Sequence, residues 1–321
     1  SMRIRLAKLS DSKQLVDILA SSFAEEISLS NLNRDSIKAQ VSLGTIASYP
    51  WLRHLLRVMG VTLEFWVAEE DGQVLGCVML HSTKRRLPLN ISSLAVHPEH
   101  RHKGIGRSLM SVMFQRTKQL GRNIITLEVM TDNPPAVNLY RSLGMEEYDR
   151  RLSYRYIVNP MTIGTDLSGV SLSPITRADI PLWREIINTS PNVPIKLEQI
   201  MRVYEEEYIS RARRNLWLPS ILGRLSTYQQ YAIYNQGKTV GFVAARNMLR
   251  GNPTESLPPL CLTQAGLNMT SVFIRLQEML LQYGSRAHRL YVSAFDGNQI
   301  EAAQMLGYRF EKSWSYMYKM L

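Results

Sequence analysis

Cysteine is nearly missing from this chain: 321 residues contain two, Cys77 and Cys261, each inside an apolar, strand-like run. A disulfide framework is therefore excluded, and a reducing, cytoplasmic setting is the expectation. Long apolar runs are missing too. No stretch of about 18 apolar residues occurs, so neither a membrane-spanning helix nor a membrane partner is expected. The start, Met2-Arg3-Ile4-Arg5-Leu6-Ala7, alternates like a strand and lacks the apolar core of a signal peptide, and Ser1 reads as an addition ahead of it. Acidic residues are in deficit, 27 Asp and Glu against 38 Lys and Arg, for a net charge of +11. That excess is spread, +6 over residues 1–160 and +5 over the rest. Its densest clusters, Lys84-Arg85-Arg86 and Arg211-x-Arg213-Arg214, have no interleaved aromatics to stack on bases, so nucleic acid is not the expected partner. A basic surface that attracts a polyanionic small molecule accounts for the charge better. What is present, 45% hydrophobic and 20% charged residues without low-complexity tracts, is the composition of a globular protein with room for two domains.

One stretch organises the first half: Leu94-Ala95-Val96-His97-Pro98-Glu99-His100-Arg101-His102-Lys103-Gly104-Ile105-Gly106-Arg107-Ser108-Leu109-Met110. Ile91 to Val96 reads as a buried strand, and from Arg107 onward apolar residues repeat at helical spacing. The turn between them suits an anion. Gly104 and Gly106 let the backbone approach a ligand, the free N–H groups of the first helical turn point at the same spot, and Arg101, Lys103 and Arg107 add charge. A P-loop would need Lys-Ser/Thr after the last Gly, where Arg107-Ser108 stand, and a dinucleotide fingerprint would need a small residue where Leu109 stands. A tight strand-to-helix turn without ligand is the plain alternative.

Around this stretch, residues 3–22 read as strand then helix, with Leu15, Ile18, Leu19 and Phe23 on one face. Leu52, Leu55, Leu56 and Met59 suggest an amphipathic helix, with His54 at its surface. Phe65–Glu70 and Val74–His81 are strands joined at Glu70-Asp71-Gly72, a hairpin signal. After the loop and its helix, which ends at Leu120-Gly121, Ile124–Met130 is a strand. Asn133 to Met145 is a helix bracketed by Pro134 and Gly144, with Ala136, Leu139, Tyr140 and Leu143 on one face. Residues 153–158 close the unit as a strand. The order implies an α/β unit, a mixed, mostly antiparallel sheet with helices on both sides.

The Leu-Ala-Val-x-Pro strand end followed by Arg-x-x-Gly-x-Gly resembles the acetyl-CoA loop of the GCN5-related N-acetyltransferase (GNAT) superfamily. Asn133-x-x-Ala136-x-x-Leu139-Tyr140-x-x-x-Gly144 resembles a second motif of the same family, in the right order. The resemblance covers roughly residues 3–158. It implies that acetyl-CoA is the cosubstrate and that an acetyl group passes directly to a primary amine of a small molecule or a peptide N-terminus, with no metal. The pyrophosphate would meet Arg101, His102, Lys103, Gly104, Ile105, Gly106, Arg107 and Ser108. Leu94, Ala95 and Val96 would line the thioester arm, with amides of Ala95 and Val96 exposed where the strand splays from its neighbour. Asn133 would bond the pantetheine arm or merely cap its helix. Tyr140 is the implied acid, with a plain core tyrosine as the alternative. Glu128 is the implied base, as in the ribosomal-protein N-terminal alanine acetyltransferases, with a solvent-side strand carboxylate as the alternative. His97, His100 and His102 straddle a loop that already has a phosphate role, so no metal site is expected.

Residues 159–169 read as a linker, and after it the first half reads as repeating, with chance agreement of glycines that hairpins and helix caps recruit anyway as the alternative. Trp66-Val67-Ala68, Gly72 and Gly76 recur as Tyr231-Ala232-Ile233, Gly237 and Gly241, and Leu143-Gly144 recurs as Leu306-Gly307. The expected division is a catalytic domain over 2–158 and a degenerate copy over 170–321. At its loop the copy has Gln264-Ala265-Gly266-Leu267-Asn268-Met269, without paired Gly, Lys or Arg, and Tyr291 and Ala303 replace Glu128 and Tyr140. Two rival readings are an acyl-CoA-binding regulatory module without catalysis and a basic nucleic-acid-binding protein.

Overall fold

The computed structural model describes residues 1–22, 34–157, 169–209, 229–246, 254–262, 266–282 and 287–321. Phe23, the body of the expected linker, the Arg211–Arg214 cluster and Gln264-Ala265 lie outside the described residues. In chain order the first elements are β1 (Arg3–Leu6), α1 (Ser12–Ser22), α2 (Arg34–Ala47), α3 (Pro50–Val58), β2 (Thr62–Glu70), β3 (Gln73–Ser82) and β4 (Leu89–Val96). Next come α4 (Ile105–Gln119), β5 (Ile124–Met130), α5 (Pro134–Ser142) and β6 (Glu146–Ile157). Then follow β7 (Val170–Pro174), α6 (Leu182–Thr189), α7 (Glu198–Tyr208), β8 (Gln229–Asn235), β9 (Lys238–Arg246), β10 (Thr254–Ser256) and β11 (Leu260–Cys261). The last are α8 (Met269–Gln282), β12 (Ala287–Ser293), α9 (Gly297–Met305) and β13 (Arg309–Met320).

Two compact units form. The first comprises residues 1–129, 133–146 and 316–321, and the second comprises 130–132 and 147–315. In the first, β1 to β4 pair antiparallel in sequence order and β5 joins β4 in parallel. Strand alternation divides the apolar side chains between two cores. Phe65, Val67 and Cys77 pack with Leu15, Ile18, Leu19 and Val41 of α1 and α2. Val78, Leu80, Ile91 and Leu127 face the other way, onto Leu109, Met110 and Met113 of α4 and Tyr140 of α5. The mixed sheet with helices on both faces is thus present, built by the alternation seen in the sequence.

The second unit has the strand order β7-β8-β9-β10-β12-β6. Its core packs Ile233, Val243, Leu290 and Val292 against Val272, Phe273 and Leu276 of α8 and Ala303 of α9. The repeat is visible in the backbone. Asp71-Gly72 and Gln236-Gly237 are both left-handed pairs, with φ of 50° and 81° in the first and 50° and 77° in the second. Both hairpins shift register at the same place, after Ala68 in one and after Ile233 in the other. Gly76 and Gly241 match as well: a Cβ on either would lie 2.8 Å from the Ala95 carbonyl oxygen or 2.6 Å from that of Leu260.

One expectation is met differently. The strand expected over 153–158 exists as part of β6, but from Glu147 onward it belongs to the second unit, paired antiparallel with β12 from Ser293↔Arg151 to Ala287↔Ile157. Residues 316–321 belong instead to the first unit, where Met317 is buried in the core and the Leu321 N–H donates to the Asn123 carbonyl at 2.8 Å. Alternation within a strand tells which face is buried; it does not tell which strand lies alongside.

Candidate active site

The site is assembled where β4 leaves the sheet. Parallel pairing of β4 with β5 runs from Leu89↔Ile125 to Ile91↔Leu127 and no further, so the ends of the two strands diverge. On its other side β4 stays on β3, but with a bulge: Met79 faces Ser92 and Cys77 faces Ala95, leaving one extra residue in β4. Ser93 takes a left-handed φ of 55° to make it. A bulge re-aims the strand that carries it, and here it turns Leu94, Ala95 and Val96 just where β5 withdraws. Sequence reasoning identified these three residues but had no signal for the bulge, since Ser93 is a non-glycine residue at positive φ.

The chain then makes a single 3₁₀ turn at Pro98–His100. His97 caps it, its Nδ1 accepting from the Glu99 N–H at 3.4 Å. The Arg101 Nε donates to the Val96 carbonyl at 3.2 Å, tying the loop to the strand end. His102 and Gly104 both have left-handed backbones, φ 63° and 79°, and Gly104 is the N-cap of α4. Arg101, His102, Lys103, Gly104 and Arg107 are exposed, and no atom lies within 4 Å of where a Gly104 Cβ would stand. The chemistry of the loop suits an anion: open space beside Gly104, exposed Arg101, Lys103 and Arg107, and the N–H groups that a helical first turn leaves without intrahelical partners. Ile105 is buried and anchors the helix start, while Gly106 and Ser108 are half-buried beside it. Gly106 serves packing, because its Cβ position is 3.3 Å from Leu139 Cδ2 and 3.9 Å from Val96 Cγ2. Strand end, loop helix and α5 therefore meet at one point. The Arg107 side chain adds a bond across the same junction, donating to Ser142 Oγ at 2.7 Å, a contact that sequence spacing did not indicate.

Tyr140 lies on the buried face of α5, and burial raises its phenol above the ordinary value. Glu128 is the exposed residue of β5, between buried Leu127 and Val129. Asn133 accepts from the Ala136 N–H at 3.3 Å, so its oxygen caps α5. Cys77 beneath the bulge is no nucleophile: burial pushes its thiol up to about 12. The structure also gathers His97, Glu99 and His100, with ligand-type atoms within 4.8 Å of one another, the group of described residues able to take a cation. The 3₁₀ turn explains it, since residues three apart on such a turn share a face. The role visible for His97 is the cap.

In the second unit, Gly266 has a φ of 56°, Ala303 is buried in α9 where Tyr140 stands in α5, and Tyr291 lies on β12. The parallel pairing of β10 with β12 repeats that of β4 with β5, but no lysine or arginine lies between Gly266 and Met269.

A family model described as "Acetyltransferase (GNAT) family" matches residues 38–145. An N-alpha-acetyltransferase of Sulfurisphaera tokodaii is 30% identical over 156 residues, which is 45% of this chain and 80% of that protein. An N-acetyltransferase family 8 member 3 of Rattus norvegicus is 28% identical over 124 residues, 33% of this chain, and the chain spans about half of its length, 54%. Among solved structures, a tandem GNAT protein from the clavulanic acid biosynthesis pathway aligns over 100% of this chain and 98% of its own, with 16% identity and a TM-score of 0.59. A GCN5-related N-acetyltransferase from Sphaerobacter thermophilus aligns over 99% and 95%, with 13% identity and a TM-score of 0.60. These two likenesses are of fold, and both extend over the repeat.

Proposed function

Since this chain belongs to the GNAT family of acetyltransferases, we propose that its first unit transfers acetyl from acetyl-CoA to a primary amine by direct attack in a ternary complex. The observation that carries this is the divergence of β4 from β5 beside an open, cationic helix N-terminus. Acetyl-CoA, when bound, supplies an acyl group already activated as a thioester. Lys103 and the backbone of Gly104 to Ser108 hold the diphosphate, together with Arg101 and the N–H groups of Arg107 that Ser142 does not use. On the edge that β5 leaves open, the Val96 amide donates to the carbonyl oxygen as it gains charge, such a donor being worth about 3 kcal/mol, while the Ala95 amide is turned to Cys77. As the amine nitrogen bonds to the acyl carbon and the C–S bond breaks, the Tyr140 hydroxyl gives its proton to the departing sulfur. The amine's surplus proton goes to Glu128, whose exposed carboxylate can pass it to water.

A peptide or protein N-terminus is the favoured acceptor, because the relative sharing 30% identity is an N-alpha-acetyltransferase. The second unit, with no lysine or arginine at its loop and alanine in place of Tyr140, binds no acetyl-CoA and has a structural or substrate-shaping part. The test is thiol release from acetyl-CoA by the full chain across a panel of N-terminal peptides and small primary amines. Acetylation of the peptide α-amine, located by mass spectrometry, is the expected product. Acetyl-CoA binding with no acceptor turned over would instead favour a non-catalytic acyl-CoA module.

A further inference from the structure

The amphipathic helix α3 divides its apolar side chains: Leu52 and Leu56 are half-buried, and the rest face outward. None of its residues is buried. Its inner side carries Arg53 and Arg57 toward Glu64, a wholly buried carboxylate of β2 that Arg57 and Arg116 both pair with. Its outer side is apolar: Trp51, Leu55, Val58 and Met59 are 68%, 48%, 73% and 50% exposed. Of the fourteen large apolar side chains exposed among the described residues, seven lie between Leu43 and Met59. A contiguous apolar patch of this kind marks an interaction surface.

Its surroundings are cationic. From residue 36 to residue 63 the sequence has no Asp or Glu; Lys38 pairs with Asp35, and on the inner side Arg53, Arg57 and Arg116 outnumber the single carboxylate of Glu64. Gly60, directly after the helix, sits against the turn that carries exposed Arg85, whose backbone nitrogen is 3.5 Å from the Gly60 Cβ position. Arg122 joins this corner, donating to the Leu87 carbonyl and lying close enough to Arg85 for charge repulsion to lower its own pKa together with burial.

We propose that α3 is a peripheral docking element for an anionic lipid surface. Aliphatic and tryptophan side chains on the exposed face of a helix, with arginine nearby, are the combination that settles at the headgroup boundary of a bilayer. A second copy of this chain would set like charges against each other across the patch, and the face is mainly aliphatic, with Tyr49 and Trp51 too few for the series of aromatics on which successive bases stack. The mode is surface binding, consistent with no described helix being long and apolar enough to cross a membrane. Docking leaves the cofactor loop open, because the β3–β4 register puts the Arg85 turn beyond His81↔Asn90 and the loop beyond Gly76↔Val96, at opposite ends of the strands.

The test is co-sedimentation of the full chain with vesicles of phosphatidylcholine alone and of phosphatidylcholine with roughly one-third phosphatidylserine. Binding to the anionic vesicles only, weakened by salt, is expected. The double variant Trp51→Ser/Val58→Ser should bind them at least tenfold more weakly and Arg85→Glu several-fold more weakly, while both keep wild-type acetyl-CoA affinity as proof of folding. Absence of binding, equal binding to both vesicles, or unchanged binding by the double variant would overturn the proposal. So would displacement of the vesicles' effect onto another occupant: a dimer in light scattering that the double variant abolishes, or an RNA homopolymer bound through Trp51 in place of lipid.

Discussion

In the proposed mechanism, the burial of Tyr140 acts in favour of the chemistry. With its phenol above the ordinary value of roughly 10, it stays protonated at any pH where a thiolate leaves, so it can donate but not serve as base. Tyr140→Phe keeps the ring in the α4–α5 core and removes only that proton. Turnover is expected to fall by a factor on the order of 10² while acetyl-CoA affinity, measured by calorimetry, stays near wild type. Unchanged turnover on a genuine substrate would make Tyr140 a core residue. Glu64 is the opposite case. Burial alone would raise its pKa, but Arg116 and Arg57 outweigh that and hold it below the ordinary carboxylate value, with Arg116 Nε 2.8 Å from Oε2 and the Trp66 indole donating to the same oxygen at 3.2 Å. Glu64→Gln leaves Arg116 facing a neutral amide and should cost about 3 kcal/mol in denaturant unfolding near neutral pH. A depressed native pKa gives stability that is complete above the unfolded value, about 4.3, and lost as pH falls through the native one. The gap between wild type and variant should therefore close in acid. A gap that is the same at pH 7 and at low pH would mean that packing, and not charge, holds Glu64.

At the scale of elements, the proposed function makes the strand-loop-helix of β4 and α4 the diphosphate site, with Gly104 as its most sensitive position. Gly104→Asp would place a side chain on a backbone at φ 79° and a carboxylate against the anion. Calorimetry should show acetyl-CoA binding lost, with thermal unfolding lowered modestly by the strain of a side chain at that φ, since nothing packs within 4 Å of that Cβ position. Retained affinity would remove the loop from the cofactor site. This element was legible in the sequence because its signals are local: a short apolar run, two glycines, and helical periodicity from Arg107. The Asp71-Gly72 hairpin was legible for the same reason. The bulge at Ser93 was not, since no residue type demanded it. In α3 the periodicity of Leu52, Leu55, Leu56 and Met59 foretold the helix, but only Leu52 and Leu56 are half-buried, while Leu55 and Met59 are exposed. An apolar stripe is ordinarily the buried one, and the competing demand of Glu64 for two arginines lies in another strand.

At the scale of the whole chain, sequence order and compact unit part company at the last strand of each half. Local alternation identified 153–158 as a strand but could not say that residues 147–157 go to the second unit while 316–321 return to the first. A fragment ending at residue 158 therefore lacks Met317, which is 1% exposed in the first core, and the Leu321 amide that satisfies the Asn123 carbonyl. It also ends in a stretch of β6 whose antiparallel partner, β12, is gone. An unpaired strand and an open edge invite association. The fragment 2–158 is expected to aggregate or to unfold well below the full chain's melting temperature. Deleting only residues 316–321 from the full chain should lower the melting of the acetyl-CoA-binding unit while leaving the second unit's transition in place. The full chain should take up one acetyl-CoA, because the paired glycines and three cations of the first loop have no counterpart between Gly266 and Met269. Both measurements bear on one idea, that the second copy of the fold is kept because the first cannot close its sheet without the end of the chain. A fragment 2–158 that melts and binds acetyl-CoA like the full chain would refute it, and two equivalent binding sites per chain would show that the second loop binds by backbone alone.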